Sequence, residues 1–428
     1  MKIIIVNYRY FISGGPERYL FNVKELLESK GHTVIPFSVK SQYNQASEYE
    51  KYFLDPIGDG KQVYFKEYKM WKVKTFMKSF SRMFYSFEAK KKLRWLIKDV
   101  KPDLIYVLHY QNKISVSIFD AAVKSKTPVV HRVSDFGQIC ANGLFYRPHK
   151  KDICERCLNG SKVNAIVNKC VQDSYIYSSV KVASLQLQKS LRHIKKINAF
   201  IVPSEFTITK LRKYGIPQQK LFHIPTFFNL QLIKKDLPIV YDSFALYIGR
   251  IEQEKGLMTL VKAFENTNYA LKIIGGSSSE FNEILINYLK GKKHNIQFLG
   301  VKDFDEIQIY LSKCAFTIVP SECYDNFPNT ILESFAFKKC VIATNIGSLK
   351  EIVTDNESGL LFKIGDPVSL SDKIKYLMEN EMKCLELGEN AYNILKQKFS
   401  KELHYQALIN IFNNTIMDYN KPKSENVI

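Results

Sequence analysis

One local pattern is laid down twice in this chain: an apolar strand, a loop carrying glycine, a helix and a further strand. Its first copy runs from Ile3 to Asn7, through Ser13-Gly14-Gly15-Pro16, along Glu17 to Ser29, and past Gly31 into His32-Thr33-Val34-Ile35. Proline suits the first turn of a helix and glycine the position just beyond its last, so these residues bracket the helix. Short apolar runs follow at Leu104–Val107, Pro128–Val130 and Ala199–Val202. The pattern then restarts, with Phe244–Ile248 entering Gly249, a helix from about Leu257, and strands at Leu271–Ile274, Ile296–Leu299 and Phe316–Val319. Strands alternating with helices build a parallel sheet covered on both faces. Two such runs predict an α/β protein of two Rossmann-like, doubly wound domains facing across a cleft, with ligands at the carboxyl ends of the strands.

Length agrees, because 428 residues exceed what one core usually fills. The run Lys234-Lys235-Asp236-Leu237-Pro238 reads as the connection, giving domains over residues 1–235 and 236–395, then a terminal helix and tail over 396–428 that can pack on either lobe. With 46% hydrophobic and 24% charged residues, the chain has the composition of a folded protein. Met1–Val6 is too short for the apolar region of a signal peptide, and no apolar run is long enough to span a bilayer. The expected location is therefore the cytoplasm, where the eight cysteines stay reduced unless they hold metal.

A formal charge of +20 biases the surface toward anions. None of the usual base-reading modules is visible, so nucleic acid is not the expected partner. The excess is concentrated between Lys61 and Lys101, where Lys66, Lys69, Lys72, Lys74, Lys78, Arg82 and Lys90-Lys91-Lys92 interleave with Phe65, Trp71, Phe76, Phe80, Phe84, Phe87 and Trp95. Such a stretch suits the inner, anionic face of a membrane, and it equally suits a solvated helix pair whose aromatics pack on the domain.

Two constellations carry chemistry. Gly249-Arg250 with Lys255-Gly256 follows a strand end; two cations beside glycines let a diphosphate approach the backbone closely. In Pro320–Ser334, Pro328 suits a first helical turn, which leaves the N–H groups of Asn329 and Thr330 free to bind phosphate. Asn326 and Phe327 lie in the approach to that helix. Glu333 is one turn beyond Asn329, within reach of a ribose diol on the same phosphate, while Asp325 looks toward a sugar on the other side. The alternative reading makes Asp325 a helix cap and Glu333 half of a surface ion pair.

These residues resemble the retaining glycosyltransferases of family 4, which have the GT-B fold, and the likeness covers nearly the whole chain. It includes the later run Cys340–Val353 with Gly359–Phe362. The resemblance implies that Arg250 and Lys255 bind the donor diphosphate, that Glu333 binds the ribose, and that Asp325, in place of the usual Glu, contacts the transferred sugar. Gly14 and Gly15 stand in the place of the loop that approaches the donor phosphate and the acceptor. Relatives commonly have His just before Asp135; here it is Ser134, leaving His131, His109 or a water on Ser134 to orient the sugar. The activity implied is sugar transfer from a nucleotide-sugar donor to a glycan or lipid-linked acceptor in bacterial surface polysaccharide assembly. No cofactor is needed, because the two cations and the helix dipole stand in for a metal at the phosphates. A non-catalytic nucleotide-sugar-binding subunit is the competing class.

Cys140, Cys154-Glu155-Arg156-Cys157 and Cys170 have the ligand count of a tetrahedral structural zinc site, with buried free thiols as the alternative.

Overall fold

The computed structural model describes residues 1–62, 72–234, 236–277 and 280–421. Its first lobe contains β1 (Lys2–Val6), β2 (Thr33–Phe37), β3 (Leu104–Val107), β4 (Val129–Arg132), the hairpin strands β5 (Tyr146–Arg147) and β6 (Asp152–Ile153), β7 (Ala199–Val202) and β8 (Leu221–His223). The second contains β9 (Phe244–Ile248), β10 (Ala270–Ile274), β11 (Asn295–Phe298), β12 (Phe316–Val319), β13 (Val341–Thr344) and β14 (Gly359–Phe362). Both main sheets are six-stranded, in the orders β2-β1-β3-β4-β7-β8 and β11-β10-β9-β12-β13-β14. Their paired strands are parallel. This is the doubly wound α/β architecture that the alternating pattern predicts.

Parallel strands covered on both faces must be apolar throughout, and Ile3, Ile4, Ile5 and Val6 of β1 are all buried. Each sheet separates two cores, one per face. In each order the connection reverses beside the first strand, at β1/β3 and at β9/β12. Ligands of open α/β sheets bind in the crevice at such a reversal.

Several features differ from the sequence expectation. Strand β2 runs on through Pro36, which pairs with Ile5. An edge strand tolerates proline because its outward N–H has no partner to lose. The terminal helix Lys401–Asn420, which the sequence left free to pack on either lobe, packs on the first, burying Leu408 and Phe412 beside Ile3, Ile5 and Tyr106. Between β4 and β7 the chain inserts the small hairpin and the helices Arg156–Asn159, Val163–Val167 and Tyr175–Ser190.

Within the basic, aromatic segment, Phe65, Lys66, Lys69 and Trp71 lie outside the described residues, while Val73–Phe84 and Phe87–Val100 form two helices. Ser86 caps the second by accepting a hydrogen bond from the Ala89 N–H. Among the described residues, no helix is long and apolar enough to cross a membrane.

Candidate active site

A cavity of about 530 Å³ lies between the lobes, lined from the rear by Arg250, Lys255, Asp325, Asn329, Thr330 and Glu333 and from the front by Gly14 and Gly15. The rear wall is the β9/β12 reversal. Gly256, at a φ of 72°, leads the loop after β9 into the helix Leu257–Phe264. A Cβ there would stand 1.9 Å from the Pro320 carbonyl oxygen, so glycine is what lets the Lys255 turn lie against the end of β12. That contact is fastened by the Glu322 N–H donating to the Glu254 carbonyl at 2.9 Å and Thr259 donating to Glu322 at 2.5 Å.

Pro328 is the cap of the helix Asn329–Ala336, one position ahead of the first turn where the sequence placed it. No side chain caps the helix, so Asp325 does not act as the cap and the amino end stays open to the cavity. Asp325 instead pairs through Oδ1 with the Lys255 ammonium, while its Oδ2 is buried without a hydrogen-bond partner. Burial presses the Lys255 pKa down, but Asp325 outweighs it and leaves the ammonium raised. Burial likewise pushes Asp325 up, and Lys255 brings the carboxyl below its ordinary value. Both groups therefore stay charged through the neutral range. Arg250 is more exposed and rests 3.3 Å from Glu254.

Glu333 is buried, and its partner comes from the opposite lobe: Arg18 Nη1 lies 2.5 Å from its Oε1. Burial raises the Glu333 pKa, and Arg18 offsets this only in part. The front lobe meets the start of this helix and the loop before it at two further points. Asn329 Nδ2 donates to the Gly15 carbonyl at 3.2 Å, and Asn326 Nδ2 donates to the Val133 carbonyl at 2.7 Å. Asn326 also accepts from Thr207 at 2.8 Å, so its amide bridges the lobes. Phe327 lines the cavity with its ring 5.8 Å from that of Phe399. Arg18, Arg132 and Tyr247 also line it, though no motif singled them out. Tyr247 donates to the Arg250 carbonyl at 2.7 Å, bracing the loop that carries the guanidinium.

Ser134 reaches the cavity, whereas His109 and His131 line a smaller recess behind it. His131 is held through Nδ1 by the Val107 carbonyl at 2.9 Å, and burial lowers its pKa to about 4. The zinc reading names Cys140, Cys154, Cys157 and Cys170, of which three are buried and Cys154 is half-buried. Among the described residues, no three His, Cys, Asp or Glu side chains are arranged to hold a metal ion. Cys140 donates to Asn142 at 3.0 Å, and burial pushes Cys157 to about 11 and Cys170 to about 12. Cys157 and Cys170 pack against Ala165 and Leu185.

Comparison with known proteins bears on this geometry. Residues 13–232 match the family model for Glycosyltransferase Family 4, and residues 231–394 match that for Glycosyl transferases group 1. An uncharacterised glycosyltransferase of Methanocaldococcus jannaschii is 36% identical over 167 residues, covering 39% of this chain and 46% of that protein. A capsular polysaccharide biosynthesis glycosyltransferase of Staphylococcus aureus is 25% identical over 240 residues, covering 55% and 62%. The chain thus matches about half to three-fifths of the length of these relatives. Among solved structures, sucrose-phosphate synthase from Thermosynechococcus elongatus superposes with a TM-score of 0.70 at 18% identity, over 97% of this chain and 99% of its own. Anabaena HepE in complex with UDP-glucose gives 0.65 at 16%, over 97% and 100%.

Proposed function

The chain belongs to the family 4, group 1 glycosyltransferases, and from that membership we propose that it moves a sugar from a nucleotide-sugar donor to a glycan or lipid-linked acceptor with retention at the anomeric carbon. The observation that carries the reading is the meeting of Lys255, Arg250 and the open end of helix Asn329–Ala336 in one cavity, with the Gly14-Gly15 loop opposite. A diphosphate placed there receives two cations and the free N–H groups of a helix terminus. Glu333 would accept hydrogen bonds from the ribose diol, and the free Oδ2 of Asp325 would accept one from the sugar.

In this reading the acceptor hydroxyl oxygen bonds to the anomeric carbon on the face the leaving group departs from. The carbon–oxygen bond to phosphate breaks, its electron pair goes to the phosphate oxygen, and the hydroxyl proton passes to the departing diphosphate. The protein's largest contribution is stabilising that departing charge.

The acceptor is taken to come from the front lobe and from a membrane surface. Helix Phe87–Val100 bounds a groove of about 980 Å³ lined by Phe87, Lys90, Lys91, Arg94, Trp95 and Lys98, and Phe87 is 75% exposed. Cations interleaved with exposed aromatics match an anionic lipid face. A role in bacterial surface polysaccharide assembly accords with the S. aureus relative.

Thermal-shift measurements against UDP-, GDP- and other nucleotide sugars test the reading. A donor at a hundred times its Kd adds about 2.7 kcal/mol of stability, enough to raise Tm measurably. If no nucleotide sugar or nucleoside diphosphate raises Tm, the reading fails.

A further inference from the structure

Five cations line the cavity: Arg18, Arg132, Arg250, Lys255 and Lys302. Four have a carboxylate within ion-pair distance, namely Glu333, Glu254, Asp325 and Glu306 in the order Arg18, Arg250, Lys255 and Lys302. Arg132 is the exception among the described residues, and it is the most deeply placed of the three arginines lining the cavity, 6% exposed at the end of β4. Its Nη2 donates to Thr226 Oγ1 at 2.6 Å, its Nη1 donates to Ser134 Oγ at 3.3 Å, and its guanidinium carbon lies 3.8 Å from the centre of the Tyr19 ring. Its Nε is buried without a hydrogen-bond partner.

A buried guanidinium surrounded by hydroxyls and an aromatic ring is costly unless an anion joins it. The neighbourhood is dry enough for the charge to be felt: His404, which hydrogen-bonds Tyr19, has its pKa lowered to about 3, first by burial and then by Arg132. The strand end also sits beside the donor helix. Asn326, three residues before that helix, donates to the carbonyl of Val133, the residue between Arg132 and Ser134. Ser134 occupies the position where relatives commonly have His, and the side chain in contact with it is this arginine.

We propose that Arg132 is a third cation of the donor site, reaching from the front lobe to the diphosphate that Arg250 and Lys255 hold from the rear. The assignment rests on the reading of the cavity as a nucleotide-sugar site. It makes the diphosphate a bridge between lobes, so that donor binding completes a charge pair that no carboxylate among the described residues completes. Arg132 then helps receive the negative charge of the leaving group and fixes the front lobe over it.

Calorimetric titration with UDP and with GDP tests this on four proteins: wild type, Arg132→Met, Arg132→Lys and Lys255→Ala. Methionine keeps the packing and removes the charge. With whichever nucleotide binds, Arg132→Met is expected to weaken affinity about tenfold, the loss of roughly one charge-assisted hydrogen bond. Arg132→Lys, which keeps the charge and loses the fork, is expected to recover part of that loss. If Arg132→Met does not fold, a three- to fivefold weakening in Arg132→Lys, on the order of 1 kcal/mol, carries the same meaning.

Weakening in Lys255→Ala with both Arg132 variants at wild-type affinity overturns the assignment of Arg132 and leaves the cavity reading standing. Wild-type affinity in Lys255→Ala as well, or no binding of either nucleotide to the wild type, overturns both. An unchanged diphosphate affinity with a raised acceptor KM would also overturn it, moving Arg132 to an anionic group on the acceptor.

Discussion

The two lobes order their six strands differently but share one way of placing a site, at the carboxyl ends of strands beside a reversal. They differ in how their charges are kept. The rear lobe holds each cation on a nearby carboxylate of its own, Lys255 on Asp325 and Arg250 on Glu254, so the side chains are positioned before a ligand arrives. The two front-lobe arginines that line the cavity have no carboxylate of their own lobe among the described residues: Arg18 takes a carboxylate of the other lobe, and Arg132 takes none. A site of this kind is preorganised on one wall and completed by closure from the other. Electrostatic preorganisation is most valuable where charge develops, and under the proposed function this assigns the main catalytic burden to the rear wall.

Removing a rear cation should therefore cost most. Lys255→Ala is expected to lower the single-turnover transfer rate by about 10²- to 10³-fold, the range for losing one group that stabilises developing charge. A rate within threefold of wild type would show that the rear wall is not where the leaving group goes.

The proposed membrane face of the front lobe should show the next largest effect. Lys90→Gln with Lys91→Gln removes two charges worth about 1 kcal/mol each at an anionic surface, so sedimentation with phosphatidylglycerol vesicles should weaken about thirtyfold. Neutral vesicles should show little difference. No binding of the wild type to anionic vesicles even at low salt would end the membrane reading.

Glu333 joins the two walls, and its raised pKa gives it a pH signature. A carboxylate that must be ionised to accept from ribose loses donor affinity as pH falls through its pKa. Because that pKa lies above the ordinary glutamate value, the acidic limb of kcat/KM for the donor should sit higher than an exposed glutamate would put it. Asp325, with its lowered pKa, stays ionised across that limb. Glu333→Gln is expected to raise donor KM about tenfold, as for a hydrogen bond to a charged group, and to flatten the limb. Arg18→Met is the smallest of these perturbations. It removes the cation that offsets burial, so the limb should move to higher pH with a change in kcat of about threefold or less. A limb that stays in place in Arg18→Met would mean that the cross-lobe pair does not govern Glu333.

The same asymmetry decided what could be read without coordinates. Strands β1, β3, β7, β9 and β12 announce themselves because burial on both faces makes them continuously apolar. Gly256 and the Asp325-to-Glu333 spacing were legible because their geometry is local, set within a turn or along one helix. The bonds from Arg18 to Glu333 and from Asn326 to Val133 join residues 315 and 193 positions apart, and no local pattern encodes them. Arg132 ends the buried strand β4, and no local pattern sets it apart there. Its meaning lies in the carboxylate it lacks, which only packing shows. The cysteines show the same divide: ligand count is visible in a sequence, whereas the Cys140 hydrogen bond to Asn142 is not.

The account turns on a diphosphate held by the rear wall. Its most direct test is a calorimetric titration of wild type and Arg250→Ala with UDP, GDP and the corresponding nucleosides. Saturable binding of at least one diphosphate is expected, with the matching nucleoside far weaker and Arg250→Ala weakened about tenfold. A nucleoside that binds as tightly as its diphosphate, or an Arg250→Ala protein that binds like the wild type, would contradict the account.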